Sequence, residues 1–195
     1  GIKFLMENNV NTQTYTLMMI CGTELGRDEA NRKYEMKAKF RILPKQFGEY
    51  GGEKVFEIEK VCVGTNTMNY QSYLNCRNYS FLVKFLGQPV FTPVYKLVKK
   101  IGISWYEFSR EITKTVQDKN HKSKLKDLYD EFCTESHNEL FDSEDEAKNF
   151  YSKPNNYELL LKGEIGENLL GKYSAKGLLF YNDVLTTLFY VIKKK

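Results

Sequence analysis

Residues 15–26 read Tyr-Thr-Leu-Met-Met-Ile-Cys-Gly-Thr-Glu-Leu-Gly, and the reading of this stretch decides the fold of the first third of the chain. Tyr15–Ile20 carries no charge and is bounded by Gln13 on one side and Gly22 on the other. A short continuous apolar run of that length suits a buried strand better than a helix, and such strands are common in parallel sheets covered on both faces. The next segment, Gly26–Met36, is polar and helix-prone. Strand, glycine turn and helix in that order put Gly22, Thr23 and Glu24 at the carboxyl end of a strand, where α/β enzymes usually hold ligands.

On the N-terminal side, Ile2–Met6 reads as the tail of a helix ended by the Asn8–Asn9 pair. Downstream, Lys39–Leu43 reads as a short strand stopped by Pro44, and Gln46–Gly52, with its three glycines, as a loop. Lys54–Val63 is a second strand, with partial alternation. From there the pattern turns helical. Asn69 is an N-cap for a helix through Leu86 that is ended by Gly87, with Tyr70, Leu74, Phe81 and Phe85 on one face. Pro93–Lys100 forms a helix closed at Gly102. Ser104 with Glu107, and Ser143 with Glu146, have capping-box spacing. The first box opens a helix with Trp105, Phe108, Ile112 and Val116 on one stripe; the second opens a short helix that ends before Pro154. Between them, Lys122–Leu140 is a helix that buries Leu125, Leu128, Tyr129, Phe132 and Cys133. Glu164–Lys193 is the last helical region, bent at Gly171 and Gly177, with Leu178, Leu185, Leu188 and Ile192 inward. The fold class is therefore α+β and predominantly helical, with residues 1–66 containing strands and 67–195 forming a helical domain.

Composition narrows the function classes. Apolar residues at 42% and charged residues at 28% fit a globular chain rather than a disordered one. A net charge of +4 over 195 residues is modest and does not point to nucleic acid. Lysines 114–126 form a basic stretch and residues 130–146 an acidic one; solvated helix faces are the plain reading of both. Leu178–Ile192 is interrupted by Asn182 and Asp183 and is not a membrane span. The four cysteines lack metal-ligand spacing and read as reduced thiols of a cytoplasmic protein.

No set of catalytic groups stands out. The two histidines, His121 in a lysine-rich connection and His137 beside Ser136, read as exposed or capping residues. Cys133 and His137 are four apart on one helix, but no two further ligands lie nearby in sequence. The spacings of Gly22 and Gly26, and of Gly48 and Gly51, match neither a phosphate loop nor a dinucleotide fingerprint. Arg41 is a candidate clamp for a carboxylate or phosphate, with a local ion pair as the plainer reading. Thr23 is likewise either a substrate contact or a helix cap, and Glu24 either a substrate contact or an acid facing a helix dipole.

Two stretches carry a family resemblance. Residues 15–50, with "LMMICGTEL", "KYEMKAKFRILP" and "FGEY", and residues 57–77, "EIEKVCVGTNTMNYQSYLNCR", resemble the region that follows the catalytic core in radical S-adenosylmethionine enzymes of the kind that carry a cobalamin-binding domain. "GEIGENLL", 163–170, resembles that family's helical tail. The resemblance implies that residues 1–66 continue a TIM-like barrel and that the helical domain covers it. It implies that Gly22, Thr23, Glu24 and Arg41 approach substrate, and that the partner is the N-terminal radical core of the same polypeptide. The family's four-iron cluster needs a C-x-x-x-C-x-x-C loop, which is absent here. The cluster, S-adenosylmethionine and the cobalamin of this kind of enzyme would then belong to a parent protein whose ligands lie upstream of Gly1, and this chain alone would be inactive. On that reading the strand at 16–20 is orphaned, with an exposed edge or a dimer covering it. The rival readings are a free-standing helical interaction module without catalysis, and a weak nucleic-acid binder using Lys114–Lys126.

Overall fold

The computed structural model describes residues 1–8, 10 and 14–194. Asn9 and Gln13, which bound the first helix and the first strand in the sequence reading, lie outside the described residues. The chain is 59% helical with one small antiparallel sheet, a predominantly helical α+β fold. Its elements are α1 (Ile2–Glu7), α2 (Asp28–Tyr34), β1 (Lys37–Tyr50), β2 (Glu53–Gly64), α3 (Tyr70–Leu86), α4 (Thr92–Lys100), α5 (Trp105–Gln117), α6 (Lys124–Asn138), α7 (Glu144–Ser152), α8 (Pro154–Leu161), α9 (Leu169–Leu178) and α10 (Tyr181–Lys193). Packing gathers them into two compact units, with seams at 14/15, 75/76, 133/134 and 169/170.

The sheet unit comprises residues 15–75 and 134–169. Its frame is the β1–β2 hairpin. Gly51 and Gly52 have φ of +60° and +84°, the left-handed pair that a two-residue turn needs, so the chain reverses tightly between Tyr50 and Glu53. Strand β1 runs through Pro44 instead of stopping there. Between the partner pairs Ile42–Ile58 and Phe47–Phe56 the register slips, and the slip accommodates a residue with no N–H to give the ladder. Lys45, next to it, takes a φ of +65°. The segment read as a 46–52 loop is thus mostly strand. The reason is local: Phe47 packs against the core cluster of Ile42, Phe56, Ala147, Tyr151, Tyr157 and Leu160, and that burial holds β1 extended past the bulge.

Helices α7 and α8 supply the other side of this core. Ser143 Oγ accepts from the Glu146 N–H at 3.0 Å, as the capping box predicts, and Glu146 Oε2 accepts from the Asp142 N–H at 2.8 Å. Helix α8 was not foreseen: Pro154 ends α7 but also occupies the first turn of the next helix, where its missing N–H costs nothing. A second cluster joins Val61 and Val63 of β2 to Tyr73, Leu74 and Leu140. Asn69 caps α3 there, its Oδ1 accepting from the Ser72 N–H at 2.8 Å.

The helical unit comprises 1–14, 76–133 and 170–195. Its centre is aromatic: Phe81 stacks on Phe132 with ring centroids 4.5 Å apart, and Phe85 meets Phe91 edge-on at 5.1 Å. Ser104 caps α5 through the Glu107 N–H at 3.1 Å, and α5 buries Phe108, Ile112 and Val116. The last region divides at 179–180. Its buried stripe on α10 is Val184, Thr187, Leu188 and Val191, while Leu178 is exposed. Gly177 stands two residues before the break between α9 and α10. It lies inside α9, where a Cβ would sit 2.6 Å from Phe85 Cζ and 2.9 Å from Leu128 Cδ2.

Gly177→Ala therefore sets two effects against each other. Helix propensity favours alanine by about 1 kcal/mol, whereas forcing a methyl into a packed ring costs about 1–3 kcal/mol. The clash wins, and urea denaturation should show a net loss of about 1–2 kcal/mol.

Candidate functional site

The sequence singled out two places, the strand and turn at 15–24 and Arg41, and both lie in the sheet unit.

The 15–20 segment is not a buried strand of a parallel sheet. It runs antiparallel beside β2 through one bridge, Met18 opposite Val61. The Met19 N–H donates to the Lys60 carbonyl at 2.8 Å, and the Leu17 carbonyl accepts from the Cys62 N–H at 2.9 Å. Only Met19 of this run is buried; Tyr15 is 85% exposed, Ile20 52%, Leu17 42% and Met18 41%. The sequence reading took apolarity as burial. The residues have the composition of a covered strand, but only β2 is paired with them. Beyond them, Gly22 takes a φ of +83°. Thr23 Oγ1 donates to the Ile20 carbonyl at 2.7 Å and accepts from the Gly26 N–H at 3.2 Å. That makes Thr23 the cap of a one-turn 3-10 helix, Glu24–Gly26, whose first residue is the exposed Glu24.

Arg41 sits opposite Glu59 in the β1–β2 ladder. Its Nε donates to Glu59 Oε1, and its Nη1 donates to Glu139 Oε1 at 3.2 Å. The three side chains are 17%, 10% and 13% exposed, so the guanidinium is mostly withdrawn from water. Burial works to lower the Arg41 pKa, but Glu139 and Glu59 together outweigh it and hold it above its ordinary value. One cation between two carboxylates is a structural clamp. Its arms engage protein groups, as the plainer reading of Arg41 had it. The structure thus brings Gly22, Thr23 and Glu24 into one turn and gives Arg41 its own ion-pair cluster. Glu59 and Glu139 were missed; the cross-strand register that pairs Arg41 with Glu59 becomes readable only once the turn at Gly51–Gly52 is fixed.

The charged stretches are largely engaged within their own units. Lys114 pairs with Glu111, Lys126 with Asp130, and Lys176 with Glu131 in the helical unit; Lys39 pairs with Asp142 in the sheet unit. The His121 ring lies 5.4 Å from that of Tyr190. His137 is exposed, with Nδ1 3.4 Å from Asn138 Oδ1. The helical unit also holds an open pocket of about 320 Å³, lined by residues that include Met6, Val83, Gln88, Phe91, Tyr95 and Trp105.

The cysteines do not converge on a cluster. Cys21 and Cys76 are exposed, and Cys62 is buried with its thiol donating to the Gly64 carbonyl at 3.2 Å. Cys133 is half-buried, and burial pushes its thiol up to about 11, against a lowering by the Tyr129 hydroxyl. Among the described residues no group of three or more His, Cys, Asp or Glu is placed to hold a metal ion.

Neither protein-family models nor curated proteins match this chain.

Two measurements follow from the site. Arg41→Met leaves Glu59 and Glu139 facing each other without a cation, and should cost about 2–4 kcal/mol of folding stability by urea titration. Adding Glu59→Gln and Glu139→Gln should recover most of that loss. The Cys133 thiol stays protonated in the folded chain above the ordinary value of 9.0, so its contribution to stability is complete below pH 9 and lost as pH rises from 9 through about 11. In Cys133→Ala the alkaline decline in urea midpoint should begin later, near the ordinary tyrosine value of 10.0, where Tyr129 takes over.

Proposed function

We propose that this chain is the C-terminal part of a radical S-adenosylmethionine enzyme, completing the end of its barrel and shaping its substrate channel without being catalytic alone. The observation that carries this reading is the apolar segment at 15–20, in which only Met19 is buried and whose one β-bridge among the described residues joins Met18 to Val61 of β2. Natural sheet edges are protected by charges, prolines or bulges. Residues 15–22 contain neither charge nor proline. An unprotected apolar edge of this kind has the chemistry of a strand that a neighbour covers.

On this reading the radical chemistry belongs to an upstream core that binds the cluster and S-adenosylmethionine. The residues of this chain contribute position. Gly22 lets backbone approach a substrate without a Cβ, and the exposed Glu24 carboxylate can accept a hydrogen bond from a polar substrate group. Arg41, held by two glutamates, serves to fix β1 against β2.

The test is the coding sequence upstream of Ile2. An open frame encoding C-x-x-x-C-x-x-C supports the enzyme reading. The longer polypeptide should then gain charge-transfer absorption on reconstitution with iron and sulfide, while the 195-residue chain should not. A ribosome site and start codon immediately upstream would overturn it and leave the helical interaction module as the better account.

A further inference from the structure

The pocket of the helical unit measures about 320 Å³, within the range of small-molecule sites. Its floor is apolar, from Met6, Val83 and Phe91, each less than a tenth exposed. Tyr95 of α4 and Trp105 of α5 stand beside it as a corner, their ring centroids 5.3 Å apart and their planes at 74°. A second hollow of about 360 Å³ is lined by the same Met6, Tyr95 and Trp105 and so adjoins the first. Gln88 brings a polar group to the wall. Its backbone is tied on both sides: the N–H donates to the Phe85 carbonyl at 3.3 Å, and the carbonyl accepts from the Phe91 N–H at 3.0 Å. It stands at the start of the 3-10 turn Pro89–Phe91, yet its side chain caps nothing there. Its Nε2 is sealed from water and has no acceptor among the described residues. Buried donors in proteins almost always have a partner, so this amide is an exception that calls for a reason.

We infer that this pocket binds a small, flat, largely apolar molecule bearing a neutral carbonyl, its ring against Tyr95 and Trp105 and its oxygen accepting from Gln88 Nε2. The inference stands apart from the enzyme reading, since it uses residues of the helical unit alone. Three features select this ligand. The volume holds a molecule of one or two rings and does not admit a helix, which is about 10 Å across with its side chains. The edge-on pair of Tyr95 and Trp105 offers a ring face and a ring edge at nearly a right angle, so a planar ring stacks on one while it meets the other edge-on. The unmatched group is a donor, and its complement is an acceptor. The last bond of a glutamine side chain rotates easily, which lets Nε2 turn toward an oxygen lodged at the wall. No lysine or arginine is among the described residues that line the 320 Å³ pocket, so a neutral carbonyl suits it better than a carboxylate.

Trp105 is the one tryptophan of the chain, so its indole N–H gives a single resonance in nitrogen-15-labelled protein and reports on the pocket directly. The probes are 1-indanone and indane, bicyclic molecules of nearly the same shape of which only the first has a carbonyl. Both should move the Trp105 resonance saturably. In the parent chain 1-indanone should bind about 3- to 10-fold more tightly than indane, as one net hydrogen bond contributes. Gln88→Leu keeps most of the side chain's bulk and removes the amide. There the two probes should bind alike, and the urea midpoint without probe should not fall, because an unmatched buried donor is gone. Gln88→Met makes the same comparison if the leucine variant does not fold. Thr92→Phe enlarges an exposed residue of the lining and should abolish saturation by either probe. A Trp105 resonance that neither probe moves overturns the inference, as do equal affinities in the parent chain. A preference for 1-indanone that survives removal of the amide overturns it too. Movement that persists unchanged in Thr92→Phe assigns the probes to the outer surface and likewise overturns it.

Discussion

The sheet unit depends on the register of one hairpin. Gly51 and Gly52 close a two-residue turn, and from there Phe47 meets Phe56, Ile42 meets Ile58 and Arg41 meets Glu59. A slip of one residue would turn every side chain to the opposite face. It would pull Ile42 and Phe56 out of the cluster formed with Ala147, Tyr151, Tyr157 and Leu160. It would also separate the Arg41 guanidinium from Glu59, leaving charges withdrawn from water without partners, a larger penalty than any single apolar contact at that site. The Phe40–Phe141 bridge fixes the far side of β1, with reciprocal backbone bonds of 2.9 and 2.8 Å. Among the described residues, strand β2 has β1 on one side and the short run at 17–19 on the other.

The parts of this architecture that the sequence made legible are those set by chemistry within a few residues. Asn69, Ser104 and Ser143 cap their helices because a short side-chain acceptor reaches an N–H three residues on, whatever lies further away. The helical stripe of Phe108, Ile112 and Val116 is equally local. What failed was local grammar overruled by packing. Pro44 normally interrupts a strand, but the burial of Ile42 on one side and Phe47 on the other carries β1 across it through a bulge. Gly177 normally weakens a helix; here it makes room for the Phe85 ring. On α10 the stripe shifted to Val184, Thr187, Leu188 and Val191, because a helix apolar on much of its circumference takes its buried face from what it packs against.

The candidate site was legible in identity but not in environment. Gly22 and Thr23 were read as substrate contacts or as a turn and helix cap; Thr23 caps the short turn at Glu24–Gly26, whereas Arg27 stands at the N-cap of α2. Arg41 was recognisable as a charge needing a partner, but Glu59 is 18 residues away and Glu139 98 residues away, brought to it by the hairpin and by the far end of α6. No spacing rule within one sequence reports such pairs.

The exposed strand at 15–20 is where sequence and structure disagree most, and the disagreement has physical content. Composition argues for burial on both faces, whereas Tyr15, Leu17, Met18 and Ile20 stand in contact with water. A misjudged surface loop would resolve the conflict only if these residues made no regular backbone bonds. They do make them, on the β2 side, through Leu17 and Met19. The segment is held extended along β2 by these two bonds, and its ordering entropy is partly met there.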